Sequence, residues 1–299
     1  MCKQSGLGGA DRIFSVSPET LEEFNLPAIN FWKRCLGNES RINDCASVRY
    51  IPCNREQEIS LIQCTKLLPD LTIDMESLVS NIYIQTLPLF YLSCALEERC
   101  VEYNGSGKVN WWERRYLLRF STVIRNIGLK EFLPAWKSDR WEWHQCHQHY
   151  HSMSNFAEYE IYHFENRSNR TTIRGFDYKI ASSHKASFCL EDSMCKANLQ
   201  PNFKCSESRN AKGTQGLSPG CSDAYMHDID CQWIDITKLI NNGTIRSNDV
   251  YVLRVVVNPS GILVGEEDYL NNGISCKLYI NSLKPYVNQC HFVHPTIIW

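Results

Sequence analysis

The stretch Trp141-Glu-Trp-His144-Gln-Cys146-His147-Gln-His149-Tyr150-His151 holds four histidines within eight residues. Three of them, His147, His149 and His151, follow one another at a spacing of two residues. In an α-helix, residues two apart point to nearly opposite sides, whereas an extended backbone directs all three side chains to one face. The spacing therefore predicts an extended segment whose three imidazoles bind one metal ion. Because a straight strand would separate the outer two Cα atoms by about 13 Å, we expect this segment to be curved or bulged.

The other two chemically notable residues of the stretch, His144 and Cys146, occupy positions of the opposite parity. In an extended segment we expect their side chains to point away from the ion. Three imidazoles that leave coordination positions open suit copper or catalytic zinc, and sequence spacing does not separate these two metals. A structural metal or a surface cluster of histidines is the alternative interpretation.

Two further stretches carry residues suited to chemistry. They are Ser183-His184-Lys185-Ala-Ser-Phe-Cys189-Leu-Glu-Asp192 and Gly216-Leu-Ser-Pro-Gly-Cys221-Ser-Asp-Ala-Tyr225-Met-His-Asp228-Ile-Asp230-Cys231-Gln-Trp233. Together with the histidine stretch, they closely resemble the catalytic domain of the lysyl oxidase and lysyl oxidase-like family. The likeness runs from about Leu68 to the C-terminus and includes residues 92–100, 115–121 and 266–272.

The resemblance implies a specific cofactor and reaction. Oxidising a primary amine to an aldehyde needs an electron sink that no ordinary side chain supplies, so a cofactor must be made. In this family the cofactor is lysine tyrosylquinone, and the matching residues are Lys185 and Tyr225, with copper held by His147, His149 and His151. The implied activity is that of a protein-lysine 6-oxidase, a copper-dependent oxidoreductase. It converts peptidyl lysine in extracellular matrix proteins such as collagen or elastin to aldehydes, consumes O2, and releases H2O2 and ammonia.

Two alternatives remain open from the sequence. The chain could oxidise small primary amines, or it could be a non-catalytic matrix-binding protein whose metal is structural zinc. The base that takes the substrate proton also stays open among His184, His227, Asp228 and Asp230, since closeness in sequence is not hydrogen-bond reach.

The resemblance further implies a calcium site. Oxygen donors are the ligands that calcium prefers, and an ordinary acidic turn is the alternative interpretation. The matching residues are Asp70, Leu71 through its carbonyl, Glu266, Asp268, Asn271 and Asn272.

The chain has 15 cysteines, a number typical of an oxidising compartment, and their spacing is not that of a zinc ribbon. We therefore predict a disulfide framework. For the predicted catalytic domain, residues 66–299, the family resemblance implies five pairs: Cys94–Cys146, Cys100–Cys231, Cys189–Cys205, Cys195–Cys221 and Cys276–Cys290.

Residues 1–65 resemble a scavenger receptor cysteine-rich domain, a small α+β domain, that lacks its first strands. An unusual N-terminal extension is the alternative. The first residues contain no apolar core of a signal peptide, so we expect further sequence upstream. The resemblance implies that Cys2 pairs with Cys64 and Cys35 with Cys45, which leaves Cys53 as the odd cysteine.

Charge and composition favour a secreted protein of the extracellular space. The net charge is −2, and no basic face of the kind that binds nucleic acid is visible. No apolar run approaches the length of a membrane span. Five Asn-x-Ser/Thr triplets predict a glycoprotein, at Asn38, Asn104, Asn166, Asn169 and Asn242.

The predicted fold is mainly β: a loop-rich, disulfide-stapled β-sandwich catalytic domain after the small N-terminal domain. Residues 251–257, 157–161 and 276–280 are predicted strands, because β-branched residues or an alternating pattern dominate them. Short helices are predicted within 78–92 and 18–24, and a long crosslinked loop is predicted over 193–222.

Overall fold

The structure is a computed structural model of the 299-residue chain. It describes residues 67–101, 103, 108–134, 138–153, 156–164, 176–185, 189–247, 249–259 and 266–295, together with four strands of the N-terminal region. Three α-helices are found in these ranges: α1 (Met75–Ser80), α2 (Ser93–Glu97) and α3 (Thr237–Asn241). Two 3-10 helices, Leu89–Leu92 and Ser138–Arg140, accompany them.

Strands dominate the described residues, as predicted. In chain order they are β1 (Gly9–Val16), β2 (Trp32–Arg34), β3 (Ala46–Arg49), β4 (Ile59–Thr65), β5 (Leu71–Ile73), β6 (Tyr83–Pro88), β7 (Arg114–Arg119), β8 (Thr122–Asn126), β9 (Glu142–His144), β10 (His149–His151), β11 (Ala157–Phe164), β12 (Phe176–Lys185), β13 (Met194–Cys195), β14 (Lys204–Cys205), β15 (Gly213–Thr214), β16 (Cys221–Tyr225), β17 (Trp233–Asp235), β18 (Tyr251–Val257), β19 (Gly273–Asn281) and β20 (Lys284–Val293).

The largest sheet has five antiparallel strands in the order β12-β11-β18-β19-β20. Its central strand β18 is buried along its whole length, which explains its run of β-branched residues. On one face of this sheet the buried Arg254 guanidinium donates to Glu160 Oε2 over 2.5 Å. Lys179 and Tyr162 also bond the Glu160 carboxylate, over 3.1 and 3.0 Å. This buried carboxylate is therefore fully partnered, as its burial requires.

A second sheet of four strands, β13-β16-β8-β5, shares a hydrophobic core with the five-stranded sheet. The core includes Tyr159, Leu253 and Val255 from the larger sheet and Ile73 and Ile124 from the smaller one. A third sheet, β17-β7-β6, packs a separate cluster around Trp233. The prediction of a mainly β, disulfide-stapled fold is confirmed.

The prediction of short helices within residues 78–92 is confirmed at both ends of the range, by α1 and by the 3-10 helix Leu89–Leu92, and is wrong between them. Helix α1 ends at Ser80, and residues 83–88 form β6, which pairs with β7. Asp74 determines where α1 begins, since its Oδ1 accepts from the Ser77 amide over 2.9 Å. The cross-strand pairing of β6 outweighs the local helical pattern. The other predicted helix, over residues 18–24, lies outside the described residues.

The predicted strands within 157–161, 251–257 and 276–280 are confirmed as parts of β11, β18 and β19. The region 193–222 is mainly irregular, with three two-residue strands and the start of β16. All five disulfides that the family resemblance implied are present: Cys94–Cys146, Cys100–Cys231, Cys189–Cys205, Cys195–Cys221 and Cys276–Cys290.

In the N-terminal region, β1 pairs antiparallel with β4 and β2 pairs antiparallel with β3. Of the cysteines predicted to pair here, Cys2, Cys35 and Cys45 lie outside the described residues, and so does the side chain of Cys64. The predicted odd cysteine, Cys53, also lies outside them. Among the five predicted glycosylation sites, Asn242 is described and exposed, and the other four lie outside the described residues. Within the described part of the chain, no helix has the length and apolar character needed to cross a bilayer.

Candidate functional site

The histidine stretch forms a β-hairpin, which we call the histidine hairpin (residues 142–151). Strands β9 and β10 pair antiparallel with His149 opposite His144, and a turn over residues 145–148 joins them. Gln148 closes this turn with a φ of 54° and an amide that donates to the His144 carbonyl over 2.9 Å. The predicted curvature is therefore confirmed, while only His149–His151 is a strand and His147 lies in the turn.

The hairpin corrects the expectation that His144 points away from the other histidines. The His144 ring centroid lies 4.5 Å from that of His151 and 4.7 Å from that of His147. The expectation assumed one continuous extended segment, in which alternate residues point to opposite faces. The turn breaks this alternation, because it folds β10 back against β9. Paired residues of a hairpin project from the same face, so His144 joins His149. Cys146 does turn aside, to bond Cys94.

Glu98, which immediately follows α2, completes this cluster. Its Oε1 lies 3.4 Å from His144 Nε2, and its Oε2 lies 3.3 Å from His147 Nε2. The Cys94–Cys146 disulfide joins α2 to the hairpin and thereby holds Glu98 against the imidazoles. We call Glu98, His144, His147, His149 and His151 the histidine cluster.

The histidine cluster has the donor atoms that a transition metal requires. One ligand atom from each of Glu98, His144, His147 and His151 lies within 4.8 Å of the others. His149 is outside that group of four, but its ring centroid is 5.1 Å from that of His151 and 5.5 Å from that of His147. The buried atoms His144 Nδ1, His147 Nε2 and Glu98 Oε1 make no hydrogen bond among the described residues. Buried polar atoms without hydrogen bonds are costly, and a bound cation would satisfy them.

Tyr225 ends β16 and is buried in the core shared by the two larger sheets. Its hydroxyl donates to Asp223 Oδ2. The same Oδ2 accepts from the Glu191 amide over 3.1 Å, and Oδ1 accepts from Ser193 Oγ over 2.8 Å. Burial raises the pKa of Asp223 to about 6 against these stabilising hydrogen bonds. Burial and the adjacent Asp223 carboxylate together raise the pKa of Tyr225 well above its usual value.

Lys185 ends β12, where its backbone faces Ala157 of β11, and its side chain lies outside the described residues. Lys185 and Tyr225 therefore belong to different sheets. The segment that follows Lys185 nevertheless approaches Tyr225, because Glu191 and Ser193 both bond Asp223. The Cys195–Cys221 disulfide adds a covalent link between that segment and β16.

The segment 226–232 connects Tyr225 to the histidine cluster. Arg119 holds it in place by donating to the His227 carbonyl over 2.7 Å and to the Ile229 carbonyl over 3.2 Å. At its far end, Cys231 bonds Cys100, and Cys231 Sγ lies 3.0 Å from Glu98 Oε2. The backbone thus runs from Tyr225 directly to a residue in contact with the histidine cluster.

The structure also brings together the residues predicted to bind calcium. Glu266 Oε2 accepts from the Leu71 amide over 2.7 Å, and its Oε1 accepts from Asn272 Nδ2 over 2.9 Å. Asp70 Oδ1 accepts from Asn271 Nδ2 over 2.8 Å. We call this group the oxygen cluster; it comprises Asp70, Leu71, Asn258, Glu266, Asp268, Asn271 and Asn272.

The oxygen cluster has the electrostatics of a cation site. Burial raises the pKa of Glu266 to about 8, and the nearby Asp70 adds to the shift. Burial also raises the pKa of Asp70, and Asp268 and Glu267 raise it further by repulsion. Three buried amide oxygens, those of Asn258, Asn271 and Asn272, accept no hydrogen bond from the described residues. Carboxylates together with amide oxygens that accept no hydrogen bond are the kind of ligands that suit Ca²⁺.

Close packing positions the first strand of this cluster. Asn126 Oδ1 accepts from the amides of Asp70 and Gly128, each over 3.1 Å, and fixes the chain where β5 begins. A Cβ atom at Gly128 would lie 2.5 Å from the Asp70 nitrogen and from the Leu68 carbonyl oxygen. Gly128 is therefore required for the close approach of residues 68–70.

Comparison with known proteins identifies the family of the chain. The family model described as lysyl oxidase matches residues 69–290, about three quarters of the chain. The chain belongs to the lysyl oxidase family. The matched range contains the histidine cluster, Lys185, Tyr225 and the whole oxygen cluster.

Individual relatives cover nearly the whole chain. Lysyl oxidase homolog 3A of Danio rerio is 33% identical over 298 residues, and lysyl oxidase homolog 3 of Mus musculus is 35% identical over 298 residues. Lysyl oxidase homolog 4 of Homo sapiens is 34% identical over 299 residues. Each alignment includes 97% of this chain and 36% of the relative. The chain thus spans about a third of the length of these lysyl oxidase homologs.

Sequence reasoning missed four residues of these sites in this lysyl oxidase family member: Glu98, His144, Asp223 and Asn258. Asp223 could have been found, since it precedes Tyr225 by two residues in a strand and shares its face. Glu98 could not, because only the fold and the Cys94–Cys146 bond bring it to the imidazoles. Asn258 follows β18, and its Nδ2 donates to Glu266 Oε1 over 2.5 Å.

Proposed function

We propose that this chain is a copper-dependent amine oxidase of the lysyl oxidase type that acts on peptidyl lysine. The observation that supports this most strongly is the convergence of four imidazoles and Glu98 near the segment that leads from Tyr225. Family membership adds the expectation of copper and a quinone formed from Lys185 and Tyr225.

His147, His149 and His151 would hold the copper ion. Glu98 contacts His147 and His144 on the same side of the hairpin, so its carboxylate restricts how these rings turn. Such outer contacts fix the orientation of a metal-binding imidazole and increase its basicity. Trp143 and Tyr150 pack edge to face with ring centroids 5.3 Å apart, and they support the hairpin from its other face.

Lysine tyrosylquinone, once formed, supplies the electrophilic carbonyl and the electron sink that amine oxidation needs. Tyr225 is anchored for this role by its strand pairing to Thr122 and by its bond to Asp223. Nearby, Tyr159 donates to Gln232 over 3.0 Å, and Gln232 donates to Thr122 over 3.1 Å. These buried bonds keep the surroundings of Tyr225 rigid and limit the access of water.

Peptidyl lysine of extracellular matrix proteins, such as collagen or elastin, is the proposed substrate, and the extracellular space is the proposed location. The five disulfides support an oxidising compartment. Asp228 is exposed on the segment that follows Tyr225. Its carboxylate would attract a protonated lysine side chain towards that segment.

We propose further that the oxygen cluster binds Ca²⁺ and that residues 1–65 form part of a scavenger receptor cysteine-rich domain. The calcium proposal is supported by the three amide oxygens of Asn258, Asn271 and Asn272 that accept no hydrogen bond from the described residues. The domain proposal is supported by sequence resemblance and by the antiparallel pairing of β1 with β4.

The alternatives are oxidation of small primary amines and a non-catalytic protein with structural zinc. A single assay with two substrates distinguishes all three functions. The copper-loaded chain should release H2O2 with a lysine-containing collagen peptide faster than with a small alkylamine at equal concentration. A preference for the alkylamine would favour the first alternative. No H2O2 with either substrate, in protein that contains copper and no quinone, would favour the second.

A further inference from the structure

The buried hydrogen bond between Tyr225 and Asp223 suggests how formation of the cofactor begins. It rests on the proposed function, because it concerns the oxidation of Tyr225. A phenol is oxidised far more readily after its hydroxyl proton has been removed, so a buried tyrosine that is to become a quinone needs a proton acceptor within reach. The hydroxyl of Tyr225 bonds a carboxylate directly.

We propose that Asp223 is the base that accepts the hydroxyl proton of Tyr225 during formation of the quinone cofactor. The Oη–H bond of Tyr225 breaks, an O–H bond forms on Asp223 Oδ2, and the negative charge passes from the carboxylate to the phenol oxygen. The electrons that later leave the ring pass to O2, the oxidant of the proposed function.

The geometry around Asp223 suits a base more than an ion-pair partner. Among the described residues, no lysine or arginine forms a salt bridge with it. Its three donors are neutral: the Tyr225 hydroxyl, the Ser193 hydroxyl and the Glu191 amide. A carboxylate without a cationic partner in a buried site keeps its affinity for a proton.

In the metal-free protein, the shared proton of this contact stays on Tyr225. The pKa of Tyr225 is raised well above its usual value while that of Asp223 is about 6, so the proton rests on the phenol. Transfer proceeds only when the phenolate is consumed by oxidation. Asp223 would then set the pH dependence of cofactor formation, because only its ionised form accepts the proton. The titratable groups that face this pair are Glu191, which raises the pKa of Asp223 by repulsion, and Tyr159.

Position along the chain gives Asp223 a second link to the cofactor. Glu191 and Ser193 follow Lys185 by six and eight residues, and both bond Asp223. The carboxylate therefore lies between the strand that carries Tyr225 and the segment that extends from Lys185. A base at this place is in contact with both parts of the chain that the proposed crosslink joins.

The test uses the whole 299-residue chain and its variants Asp223→Asn, Ser193→Ala and Tyr225→Phe. Each is loaded with copper in air between pH 5 and 8, and quinone formation is followed by absorbance and by reaction with phenylhydrazine. Copper content is measured separately. In Asp223→Asn the side-chain amide can still accept the phenol hydrogen bond but is not a base. We therefore expect normal copper content and quinone formation at least about 100-fold slower, the lower end of the usual contribution of a positioned base. The native rate should rise with a midpoint near pH 6, and this dependence should vanish in Asp223→Asn.

Ser193→Ala is the matched control, because it removes a different hydrogen bond from the same carboxylate and leaves Tyr225 in contact. Loss of that donor raises the pKa of Asp223, so the midpoint of quinone formation should move to higher pH. This variant also keeps the proposal testable if Asp223→Asn fails to fold. An unshifted midpoint in Ser193→Ala, or a native quinone rate in Asp223→Asn, would overturn the role of Asp223.

A metal-free measurement supplies an independent readout. Because the pKa of Asp223 is higher in the folded chain than in the unfolded chain, the native protein should lose stability relative to Asp223→Asn as pH rises through about 6. A difference in melting temperature that stays constant between about pH 4 and 6 would contradict a raised pKa of Asp223 in the folded chain. Absence of quinone in the native chain, matching Tyr225→Phe, would instead overturn the proposed function itself.

Discussion

The histidine cluster and the oxygen cluster are built in opposite ways. Four of the five residues of the histidine cluster come from one ten-residue hairpin, and its burial is partial. The oxygen cluster joins segments about 200 residues apart, and its central carboxylate Glu266 is almost fully buried. The proposed copper site is thus built on a local hairpin held by the Cys94–Cys146 disulfide. The proposed calcium site instead lies at the ends of strands that are far apart in sequence.

This difference predicts that the two clusters depend on different parts of the molecule. Loss of a histidine should affect copper and leave the response to calcium unchanged. Loss of a buried carboxylate in the oxygen cluster should affect the stability of the whole fold, because residues 70 and 266–272 border strands of both larger sheets.

The largest effect should come from His149→Ala. His149 is the middle residue of the proposed copper triad, and its ring lies between 5.1 and 5.5 Å from those of His151 and His147. Copper affinity should fall by more than about 100-fold, since loss of an outer-shell partner alone costs about 10–100-fold. Competition titration with a copper chelator measures this. The melting-temperature increase produced by Ca²⁺ should stay at the native value, and a reduced increase would show that the clusters are coupled.

A smaller effect, on stability, should come from Glu266→Gln. Without a cation, the pKa of Glu266 is raised to about 8 from an ordinary value near 4.5. The stabilising contribution of the bound proton is therefore present at low pH and is lost as pH rises through about 8. Since one pKa unit corresponds to about 1.4 kcal/mol, the native protein in EGTA should lose a few kcal/mol relative to the variant between about pH 6 and 9.

Calcium should reverse that loss in the native protein only. The free energy of urea unfolding is measured for each protein at about pH 6 and about pH 9, once in EGTA and once in Ca²⁺. Asp74→Asn is a suitable control, because Asp74 is a partly exposed carboxylate that caps α1 outside the oxygen cluster. Equal stabilisation of the native protein and Glu266→Gln by Ca²⁺ would mean that the cation binds elsewhere.

The smallest of the three effects should come from His144→Ala. His144 lies within the cluster but belongs to no proposed triad position, and its Nε2 contacts Glu98. Copper affinity should fall about tenfold, the lower end of the range for an outer-shell partner. A loss as large as that of His149→Ala would make His144 a ligand. No loss at all would mean that His144 plays no part in metal binding, as expected from the sequence.

Local patterns predicted the parts of the molecule that depend on neighbours in sequence. The β-branched run of β18 and the extended character of His149–His151 are both found. The prediction that His144 points away from the other histidines was wrong because a turn lies between them. Gln148 has the positive φ in this turn, and glutamine does not signal such a turn as strongly as glycine does. The helical prediction within 78–92 failed over residues 83–88, because β7 offers β6 a pairing partner that no local pattern reveals.

Long-range contacts needed either the resemblance or the structure. The five disulfides followed from the resemblance, since ten cysteines alone allow too many pairings. Glu98 and Asn258 reach their clusters only through the fold, so neither spacing nor composition indicated them. Asp223 was partly predictable. Its position two residues before Tyr225 in a strand indicates that both side chains share a face, but only the structure reveals the hydrogen bond between them.

The most direct test of the proposed oxidase is quinone formation in the copper-loaded chain. The native protein, Lys185→Met and Tyr225→Phe are incubated with copper in air, and the quinone is trapped with phenylhydrazine and located by peptide mass spectrometry. We expect one trapped crosslink that joins Lys185 to Tyr225 in the native protein, none in either variant, and equal copper content in all three. Native protein that binds copper, shows no crosslink and gives no phenylhydrazine adduct would contradict it.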